Sequence, residues 1–212
     1  MQKRLPEYLK RPIIDTETTR TVRRVLKTNC LNTVCENARC PNKNECYTKN
    51  TATFLIMGNV CTRNCRYCNI GCEKPLPLDE DEPKRVAKAV FDLKLKYSVI
   101  TSVTRDDLPD GGAGHFCNCI REIRKLSPDV KIEILTPDFK GDTTALDRII
   151  EAKPDVFNHN IETVEPLFKT ARPQGDYRCS LEVLKYIKTN SDISTKSGLM
   201  VGLGESFEQI ER

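Results

Sequence analysis

The 212-residue chain holds two histidines, His115 and His159, too few and too far apart in sequence to build a histidine metal site. No apolar run approaches the length of a membrane span, and the opening Met-Gln-Lys-Arg is not the apolar stretch of a secretory signal. Charge of one sign is also scarce. The 34 Lys/Arg against 30 Asp/Glu leave +4, and residues 1–50 carry that excess with eleven basic residues against five acidic ones. Aromatic residues do not interleave with the basic run Arg20, Arg23, Arg24 and Lys27, so a solvated helix face or a docking surface for an acidic protein is expected there, not a nucleic-acid footprint. Gly111-Gly112-Ala113-Gly114 lacks the lysine and hydroxyl of a phosphate loop, and close backbone approach to a ligand is the expected reason for its glycines. What remains is an ordinary globular balance, 38% apolar and 30% charged, in a chain long enough for one core.

Cysteine is abundant. An odd total of eleven argues against a disulfide framework. Six of them fall into two tight trios: Cys35/Cys40/Cys46, spaced Cys-x4-Cys-x5-Cys, and Cys61/Cys65/Cys68, spaced Cys-x3-Cys-x2-Cys. Asn37, Pro41, Asn42 and Asn44 keep the first trio in turns, away from helix or strand, and turns let thiolates converge. The second trio follows the apolar run Phe54–Val60, which reads as a buried strand whose end presents the cysteines. Thiolate suits zinc or iron-sulfur clusters. A structural zinc site draws on paired Cys-x2-Cys units, and only Cys65/Cys68 has that spacing. A cubane cluster takes four cysteines, so a trio leaves one iron open for another ligand.

Elsewhere strand and helix patterns alternate. Helices are expected from Glu82-Pro83 through Val86, Val90 and Leu93, over 115–126, near 144–152 and around 181–188; strands are expected over 97–103, 131–135, 155–160 and 197–201. Five strands with intervening helices predict an α/β fold with parallel pairing and right-handed crossovers, a pattern shared by an open doubly wound sheet and a barrel.

The cysteine spacings resemble those of a known family. Cys-x3-Cys-x2-Cys after a first strand is the hallmark of radical S-adenosylmethionine (SAM) enzymes, and a preceding Cys-x4-Cys-x5-Cys is similar to lipoyl synthases within that superfamily. The segments 54–65, 101–114, 134–138, 155–163 and 195–206 resemble that family too. The resemblance implies a partial (β/α)6 barrel at 51–212 with its active site at the strand C-termini, and a cysteine-rich extension at 1–50. It implies two 4Fe-4S clusters and SAM. SAM would chelate the open iron at Cys61/Cys65/Cys68, and a 5'-deoxyadenosyl radical would abstract hydrogen at C6 and C8 of an octanoyl chain, with sulfur taken from the cluster at Cys35/Cys40/Cys46. The implied partners are an octanoylated lipoyl-carrier protein and a low-potential electron donor, in the cytoplasm, with neither nucleic acid nor membrane.

For SAM, the expected contacts are Tyr67 against adenine, Thr101 and Ser102 toward the amino group, and Asn160 and Glu162 toward ribose. His159 is expected near that pocket, Arg172 and Arg178 are candidates for binding a carboxylate, and Asp106 and Asp107 are expected to orient SAM or the loop. Cys30, Cys72, Cys117, Cys119 and Cys179 are assigned no ligand role, and Cys72 departs from the family, which usually has no cysteine beside the second trio. The family's C-terminal serine motif for the first cluster does not occur here, and the helix-like ending 205–212 leads to the expectation of a C-terminally truncated chain. The alternatives are another sulfur-inserting radical SAM enzyme, which the first spacing disfavours, and an inactive metal-binding fragment.

Overall fold

The structure, a computed structural model, describes residues 16–37, 40, 42–49 and 51–211. The N-terminal fifteen residues and Pro41 of the expected turn lie outside the described residues. The chain begins with α1 (Glu17–Thr28), whose N-cap Thr16 accepts from the Thr19 backbone N–H and whose Val22 and Leu26 turn inward. Next come β1 (Asn32–Thr33), α2 (Val34–Asn37) and α3 (Lys43–Thr48). The first cysteine segment therefore contains short helices where turns alone are expected. Each is a turn or so long: Asn37 ends α2, Asn42 stands at the N-cap of α3 and Asn44 lies inside it.

The sheet starts at β2 (Thr51–Ile56). A two-stranded ribbon of β3 (Val60–Cys61) and β4 (Gly71–Cys72) follows, then α4 (Glu82–Asp92), β5 (Tyr97–Ser102), α5 (Ala113–Leu126), β6 (Lys131–Leu135), α6 (Thr143–Ala152) and β7 (Val156–Asn158). The chain closes with α7 (Glu165–Ala171), α8 (Tyr177–Asn190), β8 (Ser194–Lys196) and α9 (Phe207–Glu211). The strand order is β1-β2-β5-β6-β7-β8, parallel throughout except for β1, which runs antiparallel to β2. Five parallel strands with covering helices form the partial barrel, and among the described residues the sheet does not close.

Register divides the sheet's faces. Phe54, Ile100, Ile134 and Phe157 are opposed across β2, β5, β6 and β7, fully buried on the helix-covered face. Thr101, Leu135, Asn158 and Lys196 share the other, inner face, as do Glu133 and its neighbours. There Glu133 accepts from Tyr97 Oη, from Asn158 Nδ2 (3.1 Å) and from Lys196 Nζ (2.9 Å). The inner face is polar and leads up to the strand ends.

Besides α8, which starts at Tyr177 ahead of the expected 181, and β7, which is shorter than the expected 155–160, two boundaries differ in ways that bear on the site. The first strand ends at Ile56, because Met57 (φ 64) and Gly58 (φ 88) turn left-handed, and Val60 joins a separate ribbon. The last strand is Ser194–Lys196, earlier than 197–201: beyond it the chain makes only an isolated bridge, Leu199 with Glu162. A Cβ on Gly198 would stand 2.7 Å from Asn160 Oδ1, so the glycine is needed where the backbone leaves the sheet.

Candidate active site

Every parallel strand delivers its functional loop at its C-terminal end, where parallel α/β folds place their chemistry. The end of β3 carries Cys61 and the loop after it Cys65 and Cys68, and this segment is fixed by one buried cation. Arg63 Nε and Nη2 donate to Asp106 (2.6 and 2.9 Å) in the loop after β5, while Nη1 and Nη2 donate to Asp138 (2.7 and 2.7 Å) in the loop after β6. A guanidinium fork suits two carboxylates in this way. Against burial, which would raise it, Arg63 holds the Asp138 carboxyl down to about 2. Thr62 Oγ1 donates to the Thr104 carbonyl and accepts from the Asp106 N–H, and Arg66 N donates to the Ala171 carbonyl. Asp106 thus orients the loop, and Asp107 pairs with Arg105 (2.8 Å).

The cysteine sulfurs themselves are held. Cys61 Sγ accepts from the backbone N–H groups of Arg63 (3.4 Å) and Thr104 (3.3 Å). Burial first, and then the negative charge of Cys65 and Cys61, raise the Cys68 thiol above its ordinary value. In the first trio burial raises Cys35, a Thr53 backbone N–H opposes it, and the charges of Cys40 and Cys46 raise it further. Members of each trio therefore feel one another's charge. Among the described residues no three Cys, His, Asp or Glu side chains stand close enough to hold a single ion. A cubane places each thiolate on a different iron and accepts a wider ligand set, so an all-sulfur donor set on converging loops fits such a cluster. The two trios adjoin, since Asn69 Nδ2, just after Cys68, donates to the carbonyl of Asn37 (3.2 Å), between Cys35 and Cys40.

Four expected SAM contacts gather beside Cys65. Burial, then the charge of Glu162, raise the Tyr67 hydroxyl, with Arg172 opposing, which sets these three groups together. Burial raises Glu162 too, opposed by a hydrogen bond from Asn160 and the charge of Arg172. Glu162 sits at φ 72, a conformation costly outside glycine and suggestive of a site. Arg172 donates from Nη1 to the Asn160 carbonyl (3.1 Å) and stacks 5.2 Å from the Phe168 ring centroid. Arg178 is exposed, 4.0 Å from Glu165, a surface ion pair. Thr101 and Ser102 part company: Thr101 Oγ1 donates to the Leu135 carbonyl (2.9 Å), whereas Ser102 Oγ is buried without a partner.

Of the residues bearing the other orphaned atoms at this face, sequence patterns pointed to His159 and Arg172 but not to Thr136 or Asn158. Thr136 Oγ1, Asn158 Oδ1, His159 Nε2 and Arg172 Nε are buried and unpartnered alongside Ser102 Oγ. His159 Nδ1 meets the Thr136 carbonyl (2.9 Å), which can only accept, and burial lowers the ring's pKa; the imidazole is therefore neutral with a bare acceptor at Nε2. Such a mixture of orphaned donors and acceptors fits a ligand with an amino acid head and sugar hydroxyls. The glycine run works differently from expectation. Gly112 (φ 91) is closely approached by the Met57 side chain, and Gly111 by Phe139, so these glycines seat the strand ends against each other. Of the spare cysteines, Cys117 and Cys119 are buried within α5, as small apolar residues are.

Known proteins agree with this geometry. Residues 55–212 match the radical SAM superfamily. A lipoyl synthase of Caldicellulosiruptor bescii is 53% identical over 208 residues, 98% of this chain and 72% of that protein. That of Caldanaerobacter subterraneus subsp. tengcongensis is 53% identical over 99% of this chain and 74% of its own length, and that of Glaesserella parasuis 55% identical over 90% and 60%. In structure, methylornithine synthase aligns with TM-score 0.59 at 13% identity, covering 93% of this chain and 56% of that one, and HydG, a maturase of FeFe-hydrogenase, with 0.61 at 15%, covering 93% and 43%. These two neighbours share the fold. By its cysteine trios, its partial barrel and its sequence relatives, the chain belongs to the lipoyl synthase family of radical SAM enzymes.

Proposed function

We propose that this chain carries out lipoyl synthase chemistry: insertion of two sulfur atoms, at C6 and C8, into an octanoyl group borne on a lysine of a lipoyl-carrier protein. The observation that most supports it is the contact of Asn69 with Asn37, which brings the loops of the two trios together. Cys61, Cys65 and Cys68 would hold one 4Fe-4S cluster, and Cys35, Cys40 and Cys46 a second one at the extension formed by residues 1–50. When bound, the first cluster and SAM supply the radical that removes hydrogen from unactivated carbon, and the second is the sulfur source.

The protein's own part is position and exclusion of water. Arg63 ties the SAM-side loop to two strand ends, and the two backbone N–H groups aim the Cys61 sulfur. Tyr67, Asn160, Glu162 and Arg172 would flank SAM, with Ser102, Thr136, Asn158 and His159 offering their unpaired atoms. Thr101 would shape the wall. No helix among the described residues is long and apolar enough to cross a membrane, and half-exposed thiolates suit a reducing compartment such as the cytoplasm. A low-potential donor would deliver the electron.

Iron, acid-labile sulfide and zinc per chain, measured after anaerobic reconstitution, test the reading. About eight iron and eight sulfide with little zinc support two clusters. Zinc without sulfide removes the enzyme reading. In the reconstituted enzyme, Cys61→Ala should abolish SAM cleavage, whereas Cys35→Ala should keep cleavage and stop sulfur insertion.

A further inference from the structure

The β3–β4 ribbon has a register whose consequence lies outside the reaction. Cys61 is paired directly with Cys72 across the parallel ladder. Paired positions of neighbouring strands lie about 4.8 Å apart, inside the roughly 4.4–6.8 Å Cα window of a disulfide. Side chains at paired positions also leave the same face of the ladder. Cys72 is exposed, Cys61 is half-buried, and neither is in a disulfide. Cys61 is oriented by the N–H groups of Arg63 and Thr104, while the Cys72 side chain is exposed.

We infer that Cys61 and Cys72 form a reversible disulfide in the cluster-free protein, a site of oxidation by peroxide that shields the buried-side ligand from irreversible damage. This rests on Cys61 being a cluster ligand, because iron on that sulfur would preclude the bond. The exposed Cys72 thiolate attacks hydrogen peroxide, becoming the sulfenic acid and releasing hydroxide. The Cys61 thiolate then attacks the Cys72 sulfur, the S–S bond forms, and hydroxide leaves. With the two thiol protons counted, two thiols and one peroxide give one disulfide and two waters. A dithiol reverses the step by exchange and returns both thiols, itself becoming the disulfide. Without Cys72, peroxide at Cys61 proceeds to sulfinic and sulfonic acids, which a dithiol does not restore.

The test uses the cluster-free protein, wild type and Cys72→Ala, exposed anaerobically to a several-fold molar excess of hydrogen peroxide, since sulfinic acid consumes two peroxides per thiol and the disulfide one. Peptide mapping under non-reducing conditions should link the Cys61 and Cys72 peptides in the wild type. Iron uptake on later reconstitution should be blocked in the wild type until dithiothreitol is added, then return in full. In Cys72→Ala, uptake should be normal before peroxide and lost after it, with or without dithiothreitol, with sulfinic acid mapped to Cys61. A link from Cys61 to Cys65 or Cys68 instead, or equal irreversible loss in both proteins, overturns the inference. If unoxidised wild type takes up no iron at the second trio while the Cys61–Cys72 link still forms, the cluster assignment fails and the disulfide stands.

Discussion

The two cysteine loops are anchored in different ways. The loop of Cys61, Cys65 and Cys68 is tied to distant parts of the chain: Arg63 to the loops after β5 and β6, Thr62 to Thr104, Arg66 to Ala171 at the end of α7, and Asn64 to Gln174. Among the described residues, the segment of Cys35, Cys40 and Cys46 combines bonds within itself with contacts to its neighbours α1, β2 and Asn69. Cys40 N donates to the Cys35 carbonyl, Lys43 pairs with Glu36, and Tyr47 reaches Thr33 (3.4 Å). Under the proposed function, a loop that delivers an electron to the same place each turnover would profit from rigid anchoring. Under the same proposal, a segment whose cluster gives up sulfur would have to release and rebuild its contents, and local contacts would re-form without disturbing the barrel.

Removing Arg63 should break this contrast most severely. Arg63→Met leaves Asp138, buried, and Asp106 without their cation, and the expected loss is about 3–5 kcal/mol in the denaturant-unfolding free energy. A loss below about 1 kcal/mol would mean that the pair does not anchor the loop. Acid comes next. Asp138 titrates at about 2 against an ordinary 3.8, so its contribution is complete above pH 3.8 and disappears as pH falls toward 2. That difference is about 2 kcal/mol, and a stability profile over this window should flatten correspondingly in Asp138→Asn. The smallest effect belongs to the segment of the first trio. Lys43→Ala breaks an exposed pair with Glu36 and should cost less than about 1 kcal/mol in the same unfolding measurement.

Much of the barrel was readable from periodicity. The strand at 131–135 lies where its alternation put it, and α4 starts at Glu82-Pro83 as its acids and proline indicate, because these elements each bury one continuous face. The six cysteines were readable because their spacing is local. The ion pairs that hold them were not: Arg63 meets partners 43 and 75 residues away, and nothing near Arg63 in sequence distinguishes it from any solvated arginine. Likewise α7 was missed, since a seven-residue helix starting at Glu165-Pro166 carries too few apolar repeats to register. His159 was suspected near the pocket, but its tautomer follows only from the Thr136 carbonyl it meets.

The antiparallel strand β1 has a final consequence for how this sheet can grow. By pairing with β2 it covers that border, leaving β8 as the sheet's other end. A strand that continues the parallel order would therefore join beside Ser194–Lys196, because at the opposite border the two-residue antiparallel β1 ends that order and offers only a short edge.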